Sequence, residues 1–161
     1  MKDVRPAQCT LVPDPPHVLT SNAGWKIEEN VVFLQETIAQ LHQSGIRTSL
    51  FVDPHQMSDK DIALLKVTGT DRVELYTEAY ADDFGTPKAE TTLAIYKRVA
   101  AEVNRLGIDL NAGHDLNLKN LRPFIEAIPT IKEVSIGHAL ICDALEMGLK
   151  ASVARYLACL V

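Results

Sequence analysis

Cysteine is scarce in this sequence of 161 residues, and its spacing matches neither a disulfide framework nor a zinc site. The three cysteines are Cys9, Cys142 and Cys159. Their number is odd and no CxxC pair occurs. The pattern is typical of reduced thiols in a cytoplasmic protein, and the cytoplasm is the location that we expect.

Long apolar runs and runs of basic residues are also missing. No apolar stretch approaches the roughly 20 residues that a membrane span needs, and the N-terminal stretch lacks the apolar segment of a signal peptide. The 16 basic residues are dispersed along the chain and are outnumbered by 21 acidic residues, for a formal net charge of −5. We therefore expect neither a nucleic-acid partner nor a membrane partner.

The short motifs that mark nucleotide sites, nucleophilic catalysis and metal sites are absent as well. The chain has no GxGxxG or GxxxxGKS/T motif for nucleotide phosphates and no serine or cysteine in a nucleophile elbow. No two histidines have the spacing of metal ligands, so we expect no metal. His42 and His55 fall at a helix end and in a loop, and we interpret both as surface residues.

What the sequence does contain is an alternation of strand-like and helix-like segments. The strand-like segments are 9–12, 46–52, 72–77, 108–113 and 134–137. The segments between them carry apolar residues at helical spacing. Strict alternation with helix-sized spacers predicts parallel strands and right-handed crossovers. No linker interrupts the pattern, so residues 1–161 are predicted to form a single α/β domain.

Local signals mark the ends of the predicted helices. Gly45, Gly69 and Gly107 each follow a helix-like segment, as C-terminal capping glycines do. Ser58 and Asp61 have the spacing of a capping box, which marks the start of a helix.

Two longer segments, residues 13–29 and 80–87, are predicted to be loops, and residues 139–161 are predicted to be largely helical. The first loop follows a strand end, and long ordered loops in compact domains are often functional. The alternative is a surface loop packed by Trp25.

Two of the strand-like segments end in the dipeptide Gly-His, at Gly113-His114 and Gly137-His138. Glycine lets a backbone approach a ligand closely, and histidine can donate a hydrogen bond or transfer a proton near neutral pH. In βα-barrels the phosphate site commonly lies at the loops after the last two strands. We predict that both histidines lie at a phosphate-handling site; the alternative for each is a histidine that only caps the next helix.

Glu74 lies in the middle of a strand-like segment, between Val73 and Leu75. An ionised carboxylate is costly to bury without a partner. Glu74 is therefore expected either to face the mouth of a barrel as a functional carboxylate or to form a structural ion pair with a base such as Arg72.

Six stretches of the sequence carry a family resemblance. They are CTLVP (9–13), TSNAG (20–24), GIRTSLFVDP (45–54), VELYT (73–77), LNAGH (110–114) and SIGHAL (135–140). In this order and spacing they resemble the pyridoxine 5′-phosphate synthase family of vitamin B6 biosynthesis. The family is a (β/α)8 barrel, so the resemblance implies a partial TIM barrel of about five parallel βα units, corresponding to strands four to eight of the family.

The resemblance also implies a reaction. The family condenses 3-amino-2-oxopropyl phosphate with 1-deoxy-D-xylulose 5-phosphate to give pyridoxine 5′-phosphate, phosphate and water, without a redox or pyridoxal cofactor. By motif, His114 corresponds to the family's proton donor. Glu74 corresponds to the carboxylate that stabilises the transition state.

The residues implied to bind substrate lie at the same strand ends. Thr20 corresponds to a contact to the deoxyxylulose phosphate, and Asp115, Gly137 and His138 correspond to the cradle for the amino-ketone phosphate. Asp115 stands where many members have glycine, and its carboxylate would repel a phosphate unless it points away. Glu78 likewise replaces part of a common His-Thr-Gly ending.

The family's barrel is longer than this chain, since such barrels typically need about 200 residues or more. The family's first three strands, which bring a catalytic histidine, a substrate-binding arginine and a second catalytic glutamate, have no counterpart here. We therefore expect a truncated or split family member or part of a longer chain, with little or no turnover alone. The expected partners are phosphorylated small molecules, further copies in a homo-oligomer, or the missing N-terminal half.

Two other functions remain open from the sequence. One is a non-catalytic phosphate-binding half-barrel or a subunit that depends on a partner. The other is a different phosphosugar enzyme of the barrel class.

Overall fold

The computed structural model of the chain describes every residue except Lys2 and Pro16. In chain order its elements are β1 (Gln8–Leu11), α1 (Ile27–His42), β2 (Arg47–Val52), α2 (Asp59–Thr68), β3 (Arg72–Leu75), α3 (Glu78–Asp83), α4 (Ala89–Arg105), β4 (Asp109–Gly113), α5 (Leu121–Ala127), β5 (Ile131–Ser135), α6 (His138–Met147) and α7 (Leu149–Ala158). Over the described residues, five strands form one sheet in the order β1-β2-β3-β4-β5, and all neighbours are parallel. The predicted α/β fold with a partial TIM-barrel arrangement is confirmed.

One face of the sheet packs against the helices and forms the core. Apolar residues of adjacent strands that share this face, such as Leu50, Val73 and Leu110, are fully buried there. Helices α1 and α4 cover them with apolar stripes that include Leu34 and Val99. Burying each such side chain stabilises the fold by about 1.5–3 kcal/mol, which holds the helix layer on the sheet.

The other face of the sheet is concave and carries polar side chains. The guanidinium of Arg47 on β2 lies 2.7 Å from the carboxylate of Glu133 on β5, although β3 and β4 lie between their strands. Glu74 also lies on this face, where Thr10 from β1 contacts it. The sheet is therefore curved like part of a barrel wall, and its concave face leads to the carboxyl ends of the strands.

The predicted helix ends are confirmed. The hydroxyl of Ser58 accepts a hydrogen bond from the Asp61 N–H at 3.0 Å, and the Asp61 carboxylate accepts one from the Ser58 N–H at 3.2 Å, which completes a capping box. Gly69 ends α2 in the left-handed conformation with a φ of 77°. Gly45 and Gly107 take φ values of 73° and 77° after α1 and α4.

The predicted loop at 80–87 is wrong in its first half, because α3 spans Glu78–Asp83. The cause is a tertiary contact. Tyr80 is buried, and the centroid of its ring lies 4.7 Å from that of Phe124. Its hydroxyl donates to the Asn120 carbonyl at 2.9 Å. A helix of one and a half turns leaves too short a periodic signal to detect in the sequence.

Smaller differences occur at other element ends. The loop after β1 ends at Lys26, because α1 begins at Ile27. β5 begins at Ile131, earlier than predicted, and its polar residues conceal it from a search for apolar runs. The predicted helical region after residue 138 is confirmed as α6 and α7, separated by Gly148.

Trp25 anchors the long loop after β1. Its indole N–H donates to the Leu11 carbonyl and its backbone N–H donates to the Phe51 carbonyl, each at 2.9 Å. These bonds tie the end of the loop to β1 and β2, so the loop lies across the strand ends. Among the residues that the structure describes, no helix is long and apolar enough to cross a membrane.

Candidate functional site

The carboxyl ends of the strands open into a cavity of about 610 Å³. Its walls come from the loop after β1, from β3, from the ends of β4 and β5, and from the start of α6. Five predicted site residues line it: Thr20, Glu74, His114, Gly137 and His138. The fold therefore brings together residues that are up to 118 positions apart in the chain, between Thr20 and His138.

The turn after β4 sets the position of the His114 imidazole. A Cβ atom on Gly113 would lie 2.0 Å from the Ser135 carbonyl oxygen, so only glycine fits between β4 and β5 here. His114 then takes a φ of 55°, which is uncommon for a residue with a side chain. Its N–H donates to the Ser135 carbonyl at 2.9 Å, which holds the turn in this conformation.

Both ring nitrogens of His114 have polar contacts. Nε2 lies 2.8 Å from the hydroxyl of Thr20, which also lines the cavity. Nδ1 lies 2.8 Å from the carboxylate of Asp115. The rings of Tyr76 and Phe51 lie beside the imidazole, with centroids at 5.5 and 6.3 Å. The imidazole is therefore held in one orientation from four sides.

Glu74 is the buried carboxyl group of the site, with only 7% of its surface exposed. Burial raises the pKa of Glu74, and nearby Glu133 adds to that, while the hydrogen bond from Thr10 and the imidazole of His114 act in the opposite direction. The Thr10 hydroxyl donates to Glu74 Oε2 at 3.1 Å. The carboxyl group therefore keeps its proton to a higher pH than an exposed glutamate does.

The alternative in which Arg72 forms an ion pair with Glu74 is not the observed arrangement. Arg72 instead lies 3.0 Å from Glu133 and 3.8 Å from Asp109, and it donates to the Asn111 side-chain oxygen at 2.9 Å. Glu74 is left with a neutral hydroxyl as its hydrogen-bond donor, next to the cavity.

The start of α6 offers backbone donors to the cavity. Gly137 is the N-cap and no side chain caps the helix. An added Cβ on Gly137 would meet no atom within 4 Å, so the backbone here borders open space. The first N–H groups of a helix lack internal partners and carry partial positive charge, which favours an anion.

Asp115, the sixth predicted site residue, lies beside the cavity rather than in its lining. Its N–H donates to the Thr77 hydroxyl at 3.3 Å, and the same hydroxyl donates to the Gly113 carbonyl. Glu78, the other unusual residue, accepts a hydrogen bond from the Tyr76 hydroxyl at 2.7 Å. Burial and this carboxylate raise the pKa of the Tyr76 phenol.

Asp14 and Ser21 are polar residues of the cavity that were not predicted. Ser21 donates to Asp14 Oδ2 at 2.6 Å, and the other oxygen, Oδ1, is buried without a hydrogen-bond partner among the described residues. Both residues line the cavity. The only available signal was their position in the long loop after β1, which the sequence left open as either a functional loop or a packed surface loop. Irregular loops have no periodicity that assigns a side chain to a face.

The remaining histidine predictions agree with the structure. His42 and His55 are exposed, although His42 contacts Asp71 at 2.8 Å and His55 packs against the ring of Tyr96.

Within the described ranges, 1, 3–15 and 17–161, no group of three or more histidine, cysteine, aspartate or glutamate residues is arranged to hold a metal ion.

A curved sheet of parallel strands, alternating with helices and bearing a polar cavity at the carboxyl ends of its strands, defines a protein of the βα-barrel class. The chain belongs to the PdxJ family, because the family model described as "Pyridoxal phosphate biosynthesis protein PdxJ" matches residues 1–161. The predicted family is thereby confirmed.

Similar proteins carry the name pyridoxine 5′-phosphate synthase. Those of Porphyromonas gingivalis and Parabacteroides distasonis are each 48% identical over 157 residues, covering 97% and 98% of this chain. That of Bacteroides thetaiotaomicron is 48% identical over 160 residues, covering 98% of it. The matches cover 64%, 64% and 65% of the relatives, so the chain spans a little under two thirds of their length.

Proposed function

We propose that residues 1–161 form one domain that supplies the second-half site of a pyridoxine 5′-phosphate synthase. The reaction condenses 3-amino-2-oxopropyl phosphate with 1-deoxy-D-xylulose 5-phosphate and releases phosphate and water. The observation that carries this proposal is the cavity in which His114, Glu74 and Thr20 meet the uncapped start of α6. Family membership supports the choice of reaction.

His114 is proposed as the proton donor. Loss of water and of phosphate each need an acid at the departing oxygen. Nε2 of His114 faces the cavity and contacts the Thr20 hydroxyl at 2.8 Å. A substrate hydroxyl or phosphate oxygen is proposed to take the place of this hydroxyl at the same distance from Nε2. The imidazole is already oriented by its neighbours, so little reorganisation precedes proton transfer.

Glu74 is proposed as the carboxyl group that stabilises the transition state. It lies at the cavity wall with one hydrogen-bond donor, Thr10, on Oε2. Because Glu74 is buried, it lies in a medium of low polarity. Its interaction with a positive charge or a hydroxyl group that forms on the substrate in the transition state is therefore strong.

Two phosphate contacts are proposed in the cavity. Thr20 contacts the phosphate of the deoxyxylulose substrate from the loop after β1. Gly137 and His138 form the cradle for the amino-ketone phosphate at the start of α6. Asp115 contributes through His114 rather than by direct contact, because its N–H donates to the Thr77 hydroxyl. The amide N–H groups and dipole of α6 favour an anion there.

The partner is proposed to be a polypeptide segment that completes the barrel. Strands β1 and β5 each have one neighbour in the described sheet, so each exposes an unpaired edge. A barrel of eight strands needs three more βα units, carried either by the same polypeptide or by another. Exposed apolar side chains on α6 and α7, such as Leu145 at 84% and Leu157 at 59%, support contact with such a segment or with further copies in a homo-oligomer.

The proposal is tested by complementation. The chain is combined with the N-terminal third of one of the full-length relatives, and formation of pyridoxine 5′-phosphate is followed by chromatography. Turnover is expected for the mixture and little or none for the chain alone. His114→Asn and Glu74→Gln are expected to reduce it, while the surface variant Glu126→Gln leaves it unchanged. Strong turnover by the chain alone would refute the need for the missing strands.

A second candidate is a phosphate-binding module without turnover, favoured by the open sheet edges and by the coverage of 64% of the relatives. In that case inorganic phosphate would bind the chain, Glu74→Gln would leave its affinity nearly unchanged, and no complementing segment would produce turnover.

A further inference from the structure

We propose that Asp115 is a positioning residue that holds His114 in the tautomer with its proton on Nδ1. The nitrogen that exchanges protons inside the cavity is then Nε2. This inference deepens the proposed function and rests on it for the identity of the substrate, whereas the tautomer is a property of the chain alone.

The contact between the two side chains carries the assignment. Nδ1 of His114 lies 2.8 Å from Asp115 Oδ2, and the two side chains are 23% and 29% exposed, so water competes little for the contact. An ionised carboxylate can only accept hydrogen bonds. Nδ1 must therefore carry the proton that lies between them.

The contact on the other ring nitrogen agrees with this assignment. Nε2 lies 2.8 Å from the Thr20 hydroxyl. In the neutral ring with its proton on Nδ1, Nε2 has a free lone pair that accepts from this hydroxyl. When Nε2 takes up a proton, the ring becomes a cation and its Nδ1–H remains on Asp115; when Nε2 releases that proton, the same neutral tautomer returns.

The direction of the Asp115 side chain also explains how an acidic residue can lie beside the proposed phosphate site without repelling the anion. Its carboxylate points to the His114 ring and its N–H donates to the Thr77 hydroxyl, so the side chain is not part of the cavity lining. The negative charge lies behind the imidazole rather than on the path of the anion. The residue that breaks the family pattern thereby acquires a role.

Asp115 acts through His114 and does not touch the cavity, so its effect must be read from the imidazole. The test uses the full chain with ¹⁵N-labelled histidine, and NMR at a pH where the imidazole is neutral reports which ring nitrogen carries the proton. The spectrum of His114→Gln identifies the signals of His114 among the five histidines. The wild-type chain is expected to show a protonated Nδ1 and an unprotonated Nε2.

Three variants separate the tautomer effect from general damage. Asp115→Ala is expected to shift His114 toward the Nε2-protonated form, which free imidazole side chains prefer in water. Asp115→Asn keeps a side-chain oxygen that accepts from Nδ1–H, so it is expected to retain the wild-type tautomer. Asp82→Ala, on the exposed surface of α3, is the matched control and is expected to change nothing.

The inference is overturned if the wild-type ring is protonated on Nε2, or if Asp115→Ala leaves the tautomer unchanged. If Asp115→Ala does not fold, the wild-type spectrum by itself decides which ring nitrogen of His114 carries the proton. In the complemented barrel, Asp115→Ala is expected to lower kcat about tenfold or more with little change in KM, and Asp115→Asn to recover most of it. A complemented wild type without turnover would count against the proposed function and leave the NMR result standing.

Discussion

Arg47 on β2 and Glu133 on β5 form a 2.7 Å ion pair across the concave face, although two strands separate them in the sheet. Arg72 on β3 reaches the same carboxylate at 3.0 Å. Contacts between such distant strands need the curvature of a barrel wall. Glu133 therefore links β2, β3 and β5, and it stabilises the curved form of an open sheet.

Replacing Glu133 with glutamine is expected to lower the free energy of unfolding by about 1 kcal/mol. Arg72, whose side chain is only 11% exposed, would lose its closest carboxylate partner. The side chains of Arg47 and Glu133 are 37% and 41% exposed, and solvent screening there limits the loss of stability. Urea denaturation measures it. Glu126→Gln, which affects an exposed pair with Arg122 at 3.9 Å, is the control and should cost less than about 0.5 kcal/mol. Equal effects of the two variants would contradict this role.

Asp71 connects α1, β2 and β3 at the end of the sheet opposite the cavity. Its carboxylate accepts from the Thr48 N–H at 2.7 Å and from the Thr48 hydroxyl at 3.0 Å, and it contacts His42 at 2.8 Å. Partial burial acts to raise the pKa of Asp71, but these hydrogen bonds and the imidazole outweigh it and the pKa falls below its ordinary value of 3.8.

Because the pKa of Asp71 is lower in the folded state, its contribution to stability is present above pH 3.8 and is lost as the pH falls through the folded-state pKa. Asp71→Asn is expected to cost about 1 kcal/mol at pH 7. It should also reduce the loss of stability between pH 5 and pH 3, measured by urea denaturation across that range. Asp82→Asn is the matched control, and the same pH profile in both variants would contradict this contribution of Asp71 to stability.

Glu74 has the opposite pH dependence. Its pKa is raised above 4.5 in the folded state, so the folded protein binds a proton more readily than the unfolded chain does, and stability falls as the pH rises above 4.5. Glu74→Gln is therefore expected to raise the free energy of unfolding at pH 7.5. The gain should vanish below pH 4.5. Denaturation at several pH values checks this, and a gain that is independent of pH would rule out ionisation as the cause.

Gly113 and Gly137 provide a matched pair of glycine positions. An added Cβ on Gly113 would meet the Ser135 carbonyl oxygen at 2.0 Å, whereas one on Gly137 would meet nothing within 4 Å. Gly113→Ala is expected to cost about 2 kcal/mol or more, because β4 and β5 must separate. Gly137→Ala should cost less than about 1 kcal/mol. Thermal denaturation compares the two, and similar losses would show that the close approach of β4 and β5 is not required.

Much of the fold was predictable because its signals are local in the chain. Helical spacing of apolar residues, the Ser58 and Asp61 capping box and the glycines after helices each depend on neighbours within a few positions. Alternation of strands and helices then implies a parallel sheet. Within such a sheet the carboxyl ends of the strands lie at one edge, so the strand ends that carry His114 and His138 meet there, beside the strand that carries Glu74. The location of the candidate site could therefore also be predicted.

The arrangement within the site depends on contacts between distant residues, which no local pattern encodes. Thr20 and His114 are 94 positions apart, yet their contact determines what the Nε2 atom faces. The side-chain direction of Asp115 follows from the positive φ of His114 and from the Thr77 hydroxyl, which is 38 positions away from Asp115. Likewise, α3 forms because Tyr80 packs on Phe124. Local sequence specifies the helices, the strands and the edge of the sheet at which the site lies. Packing between these elements determines which atoms are in contact within the site.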